Sequence, residues 1–267
     1  MMDNFSDAQV VRKTVIATEA GVVASQHKRA AQVGAAVLAA GGDAVDAAVA
    51  TSFALGVVEP WMSGAMAGGC MVLWRAGEQR AHVVDYGMRS PRELEPGDYP
   101  LSGDGRSSDL FPWQAVVGDR NVQGATAVAV PGVVSGMGLA HQRYGRKSWR
   151  ELVMPAVQLA QEGLLVDWYS GLVTASSARA LSQDPDAAAM FLDEGKWPIM
   201  GSWTASTDRR LDQRALAGTL SRSPRTVRGL CTKVRWRGPW CATCAPRAAA
   251  WARPTWPPTR PNGPSRW

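Results

Sequence analysis

Residues 213–267 contain no aspartate or glutamate, yet they hold eleven lysines and arginines. The other 212 residues carry eighteen basic and 23 acidic side chains, so the formal net charge of +6 conceals a mildly acidic body joined to a strongly basic tail. No apolar run approaches the roughly 18 residues that a bilayer-spanning helix needs. The longest candidate, residues 47–58, has twelve and follows directly on Asp46. The first residues, MMDNFSDAQVVRKTV, include Asp3 and Asp7 and lack a continuous apolar core, which speaks against a secretory signal and for a cytoplasmic chain. Cysteine is scarce: Cys70 is alone in the body, and Cys231, Cys241 and Cys244 lie in the tail. The CATC run at 241–244 is a lone CxxC, whereas a zinc site wants four ligands. His27, His82 and His141 all lie far upstream, so no metal site is expected.

What is present suits a sizeable core, with 46% hydrophobic residues. Residues 15–26 (VIATEAGVVASQ) are rich in Val, Ala and Thr and predict a short strand or hairpin. Ala30, Val33, Val37 and Leu38 recur at helical spacing, and Gly41-Gly42 ends that helix. Asp43 then caps a second, almost wholly apolar helix near 44–55, and Asp46 suits the positive end of its dipole. Both acids are read as capping and packing groups. The stretch GVVEPWMSGAMAGG, residues 56–69, packs four glycines between two apolar runs. A phosphate-binding loop has a strand before the glycines and a helix after them. Here a helix leads in, a strand leads out and no Gly-Lys-Ser/Thr occurs, so a turn for close backbone packing is expected. Residues 71–74 and 81–85 read as strands joined around Gly77. Residues 91–121, polar and rich in Pro, Gly, Asp and Ser, read as a surface excursion with little regular structure. A strand at 127–130, a Pro131-Gly132 turn and a helix over 133–144 follow. Ser148 caps the next helix, which Pro155 is expected to divide into a short turn and a new helix. Short helices are predicted over 173–181, 186–191 and 210–220.

Three segments in order resemble the gamma-glutamyltranspeptidase family. VVASQHKRAAQVGAAVLAAGGDAVDAAVATSFALGVVEPWMSGAMAGG resembles its opening elements, VPGVVSGMGLAHQRYG its VPG helix, and WRELVMPAVQLAQEGLLV its PA-x-x-LA-x-x-G helix. The resemblance covers about residues 21–220. It implies an α+β fold, the N-terminal-nucleophile hydrolase-like αββα sandwich, here incomplete and limited to the large-subunit portion. It also implies a precursor that cuts itself to expose an N-terminal Thr. That Thr attacks a gamma-glutamyl amide, as in glutathione, with its own amine as base, and needs neither a metal nor an organic cofactor. The glycine-rich turn becomes a packing element near the active site.

Two departures from the family pattern shape the expectation. The Thr-Thr-His-like nucleophile segment is absent, and Thr126, Thr174, Thr204 and Thr207 all stand in the wrong context. No catalytic residue is therefore assigned, and the chain is expected to be inactive as written, with the small subunit missing. The family also holds the substrate carboxylate with an Arg in an Asp-x-Arg-Glu-x-Ala-Pro pattern, a job suited to a planar, bidentate guanidinium. Aligning Asp85 and Pro91 puts Gly87 in the Arg slot. Arg89, two residues on and on the same face of an extended segment, is the candidate substrate-binding residue. His27 matches a family histidine expected to bond locally, and Cys70 is expected to be a buried small apolar residue.

Residues 221–267 form the second unit. They carry five of the twelve Trp, three of the four Cys, many Pro and no sustained period. That bias is what a GC-rich frame yields when read out of register. The alternative reading is a non-catalytic, basic-tailed protein that binds single-stranded nucleic acid or an anionic surface through interleaved Arg and Trp. No folded nucleic-acid module accompanies the tail, so no specific nucleic acid and no membrane partner is expected.

Overall fold

The computed structural model describes residues 17–18, 21–91, 94–106, 113–201 and 209–222. Among these, no helix is long and apolar enough to cross a membrane. The predicted helical hairpin is present as α1 (Lys28–Ala39) and α2 (Ala44–Val58). Gly41 makes the joint at φ 82°, a left-handed conformation glycine adopts without steric cost. Asp43 Oδ1 then accepts from the amides of Val45 and Asp46, while Asp46 Oδ2 accepts from the Asp43 amide, closing a reciprocal cap. Ten of the fifteen residues of α2 are buried, so this helix is packed on nearly every side. Around it lie α1, α3 (Val133–Tyr144) and α4 (Trp149–Glu162), and α7 (Arg214–Arg222) covers α4. Phe53 of α2 meets Trp149 of α4 edge to face, 5.4 Å between ring centres.

Helix α4 runs unbroken through Pro155, against the expected division. Proline withholds only one amide, the one that would reach the Glu151 carbonyl. Leu152, Val153, Ala156 and Val157 on either side are all buried, and their packing holds the helix together. Ser148 caps it: its hydroxyl accepts from the Glu151 amide, and the Glu151 carboxylate accepts from the Ser148 amide. Ser148→Ala is expected to lower unfolding free energy by about 1 kcal/mol in a urea titration, the usual cost of a lost N-cap.

The strands form four separate antiparallel pairs among the described residues. The main one joins β1 (Cys70–Arg75) to β2 (Arg80–Asp85), in a register that puts Met71 opposite Val84 and Val72 opposite Val83. Met71 and Val84 face the core, whereas Val72, Trp74 and Val83 face outward. The excursion near residues 91–121 is more regular than predicted. It holds β3 (Leu101–Arg106) paired with β4 (Gln114–Val116), because local antiparallel pairing satisfies backbone groups that a bare loop leaves open. Further on, β5 (Leu164–Leu165) pairs with β8 (Arg210–Leu211), and β6 (Leu192–Asp193) with β7 (Trp197–Pro198).

Two predicted strands are not formed among the described residues, residues 15–16 and 19–20 of the first lying outside them. Residues 21–25 have no strand partner and lie against α1, Val23 beside Gly34 and Gly21 beside Leu38. The segment at 127–130 reduces to a single bridge, Arg89 to Val130, after a short 3-10 turn at Ala125–Ala127. Apolar composition was right in both places, but a strand needs a neighbour to pair with. The later helices are present as α5 (Trp168–Leu181), α6 (Pro185–Phe191) and α7, which begins four residues after its predicted start because Arg210 and Leu211 pair with β5. α5 starts five residues before its predicted start, because Asp167 caps it by accepting from the Ser170 amide.

Candidate functional site

The glycine-rich stretch after α2 is a junction where four pieces of backbone meet. A Cβ on Gly56 would stand 2.9 Å from Gly64 Cα, so the turn folds directly back onto the end of α2. Gly69 and Tyr86 exchange both backbone bonds, at 3.0 and 3.3 Å, extending the β1–β2 ladder into the turn. Ala67 O accepts from the amides of both Gly132 and Val133, each at 3.0 Å, and so receives the first amides of α3. A Cβ on Gly68 would lie 2.7 Å from Met88 Cγ. The stretch is thus a close-packing turn, with a helix entering and a strand leaving, as its sequence order implied.

Arg89 lies at the rim of this junction. Its amide donates to Val130 O at 3.2 Å, and its carbonyl accepts from the Val130 amide at 2.8 Å. The residue is exposed, and its Cα is fixed relative to the start of α3 by these paired bonds. Gly87 donates its amide to Asp85 Oδ1 at 3.0 Å, and its backbone lies against Gly68.

The other singled-out residues have structural roles. His27 bonds locally, as expected: its Nδ1 accepts from the Arg29 amide at 3.1 Å and caps α1. Asp46 does more than cap. It is fully buried and accepts from the Arg146 amide at 3.1 Å and the Lys147 amide at 3.2 Å, a hundred residues away in sequence. Cys70 is exposed rather than buried, because it opens β1 on the outward parity, opposite Asp85. Thr126 donates its hydroxyl to Arg120 O at 2.7 Å, and Thr174 is buried on α5. Thr204, Thr207 and Cys231, Cys241 and Cys244 lie outside the described residues, as does nearly all of the tail. Among the described residues no group of three His, Cys, Asp or Glu is placed to hold a metal ion. An open groove of about 480 Å³ runs between α1 and α4, floored by Val33, Val37, Leu152 and Leu159, and no residue of the glycine turn lines it.

Sequence reasoning missed Glu59. It follows the last residue of α2, is 4% exposed, and its Oε2 has no hydrogen-bond partner among the described residues. Burial raises its carboxyl above the ordinary 4.5, the neighbouring His27 opposes that rise, and Asp167 adds to it. Gln213, 1% exposed, donates its side-chain amide to Val57 O at 2.9 Å in the last turn of the same helix. A polar residue immediately after an apolar helical run was the available signal for Glu59. No local pattern announces Gln213, which reaches α2 from the far end of the described chain.

The profile of the gamma-glutamyltranspeptidase family matches residues 30–222. The chain is 38% identical over 178 residues to the acylase ACY 1 proenzyme of Pseudomonas sp. (strain SE83), a match spanning 66% of this chain and 31% of that protein. It is 37% identical over 147 residues to the glutathione hydrolase proenzyme of Bacillus subtilis (strain 168), covering 55% of this chain and 24% of the relative. The crystal structure of Helicobacter pylori gamma-glutamyltranspeptidase superposes with a TM-score of 0.71 at 25% identity, over 83% of this chain and 59% of that one. The chain therefore spans about a quarter to a third of the length of these two curated relatives. With matches in profile, sequence and fold over the same region, the chain belongs to the gamma-glutamyltranspeptidase family.

Proposed function

We propose that this chain forms the substrate-carboxylate side of a gamma-glutamyl acyltransferase or amide-hydrolase site, with Arg89 as the anchoring cation. The acyl donor is of the glutathione type. The attacking Thr hydroxyl comes from the part of the family fold that this chain does not span, where the complete αββα sandwich is assembled. In that assembly the hydroxyl attacks the gamma-glutamyl carbonyl, the amine of the nucleophile takes the proton, and the acyl-enzyme passes its acyl group to water or an amino acid. Neither a metal nor an organic cofactor is part of this reading. By itself the chain binds without turning substrate over.

The observation that carries the reading is the backbone placement of Arg89. Paired bonds to Val130 fix its Cα beside the glycine junction, so less freedom is lost when its guanidinium closes on a carboxylate. A charge-assisted contact of this kind contributes about 1.5–3 kcal/mol. Titration calorimetry with L-glutamate and glutathione tests it. Arg89→Ala is expected to weaken binding roughly ten- to a hundredfold, and Arg89→Lys to restore part of it, since lysine keeps the charge but loses the fork. Equal binding by wild type and Arg89→Ala overturns the assignment. Release of anilide from a gamma-glutamyl anilide by the purified chain overturns the claim that it does not turn over alone.

A further inference from the structure

We propose that Glu59 is a proton-gated latch that holds the glycine-rich turn closed on α2 when protonated and releases it when ionised. The latch does not depend on the acyl-transfer reading, since it concerns the turn's own backbone.

Four observations converge on this residue. The side chain is 4% exposed and its Oε2 has no hydrogen-bond partner among the described residues. It sits at the C-terminal cap of a fifteen-residue helix, where the macrodipole already places negative potential. The titratable groups facing it are His27, from the segment that enters α1, and Asp167, from the loop that enters α5. Asp167 repels a second carboxylate. His27 Nδ1 accepts from the Arg29 amide, so that nitrogen does not donate to Glu59. Ionised Glu59 thus leaves Oε2 buried without a partner among the described residues, with the carboxylate of Asp167 opposing its charge. Burial accordingly holds the carboxyl above its ordinary value.

Glu59 is also where the turn hinges. Its amide donates to Leu55 O at 2.8 Å, and its carbonyl accepts from the amides of Met62 and Ser63, each at 3.1 Å. Nearby, Trp61 packs edge to face on Tyr169 at 5.9 Å, while its indole N–H is buried without a partner among the described residues. Moving the carboxylate out to water pulls the hinge open. Further along the turn, Ala67 carries the start of α3 and Gly68 lies against Met88, next to Arg89. The sign follows from the direction of the shift. A carboxyl whose folded-state value is raised stabilises the closed form at pH below its unfolded value, and that contribution is lost as pH rises through the folded value.

Amide hydrogen exchange on the full chain, corrected for intrinsic rates, tests the latch between about pH 3.5, below the ordinary carboxyl value, and about pH 8. In the wild type, protection of the Met62 and Ser63 amides is expected to fall about tenfold for each unit by which ionisation favours the open turn. In Glu59→Gln, a neutral isostere, protection is expected to stay flat and to equal the acid-pH value of the wild type. Protection that is unchanged across this range in the wild type, or that falls equally in Glu59→Gln, overturns the proposal. So does a Glu59→Gln chain that unfolds at a lower temperature than the wild type at neutral pH, since a neutral isostere must be at least as stable there.

Discussion

Replacing Asp46 with alanine is expected to lower the unfolding free energy by about 3–5 kcal/mol, because it strips three amides of a shared acceptor that is itself fully buried. The carboxylate receives the amides of Asp43, Arg146 and Lys147, so it ties the start of α2 to the loop between α3 and α4. Each donor left buried without an acceptor costs about 1–3 kcal/mol. The loop's other contacts, His141 Nε2 to Lys147 O at 2.7 Å and the Arg146–Asp43 ion pair at 3.8 Å, do not supply an acceptor for these amides. Gly145 donates to His141 O, and a Cβ at Gly145 would lie 2.8 Å from Asp46 Oδ1, so the backbone already sits at the limit of approach. Asp46→Asn is expected to fall between the two, since one of its two side-chain atoms presents N–H groups to amides that need an acceptor. Urea titrations of the three proteins measure this. A loss below about 1 kcal/mol in Asp46→Ala would mean that water reaches these amides and that the pin is not needed.

Gly132→Ala is expected to be as damaging for a different reason. A Cβ there would fall on the carbonyl oxygen of Tyr86 and stand 2.9 Å from its carbonyl carbon. Both are backbone atoms at the end of the β1–β2 ladder, where Tyr86 exchanges bonds with Gly69, so no side-chain rotation relieves the clash. Overpacking a fitted site costs about 1–3 kcal/mol when side chains absorb it, and the upper end or more is expected when they cannot. Separating β2 from the start of α3 would also break the seat of Arg89, so glutamate binding should fall together with stability. Gly77→Ala is the control. A Cβ at Gly77 meets nothing within 4 Å, and the change should fall within about 0.5 kcal/mol of wild type. Similar melting temperatures for the two variants would show that the β2–α3 contact is looser than its geometry.

The glycine-to-alanine contrast bears on how far the sequence could be read. Asp43-x-x-Asp46 and Ser148 announced their helix starts, because capping is settled within four residues of chain. The apolar run of α2, the Gly41-Gly42 stop, the two strands around Gly77 and the helix over Val133–Tyr144 were legible on the same ground. The order of elements around the glycine turn was enough to separate a packing turn from a phosphate loop.

Segments whose state depends on a distant partner were misread. Residues 21–25 have strand-like composition but lie on α1 without pairing, and the segment before Pro131 forms only the bridge to Arg89. Pro155 reads locally as a break, yet buried neighbours on both sides keep α4 whole. Cys70 reads as a core residue by type, and only strand register turned it outward.

The sequence alone determined the family motifs, the capped starts of α2 and α4 and the charge division between body and tail, because capping, periodicity and composition act over a few residues. Only the tertiary structure decided which polar groups are buried and what they hold. Asp46 meets amides a hundred residues away, Gln213 reaches the end of α2, and Glu59 is left without a partner among the described residues. The free energy of a buried polar atom depends on whether an acceptor or donor arrives from elsewhere in the chain, and only the folded arrangement settles that.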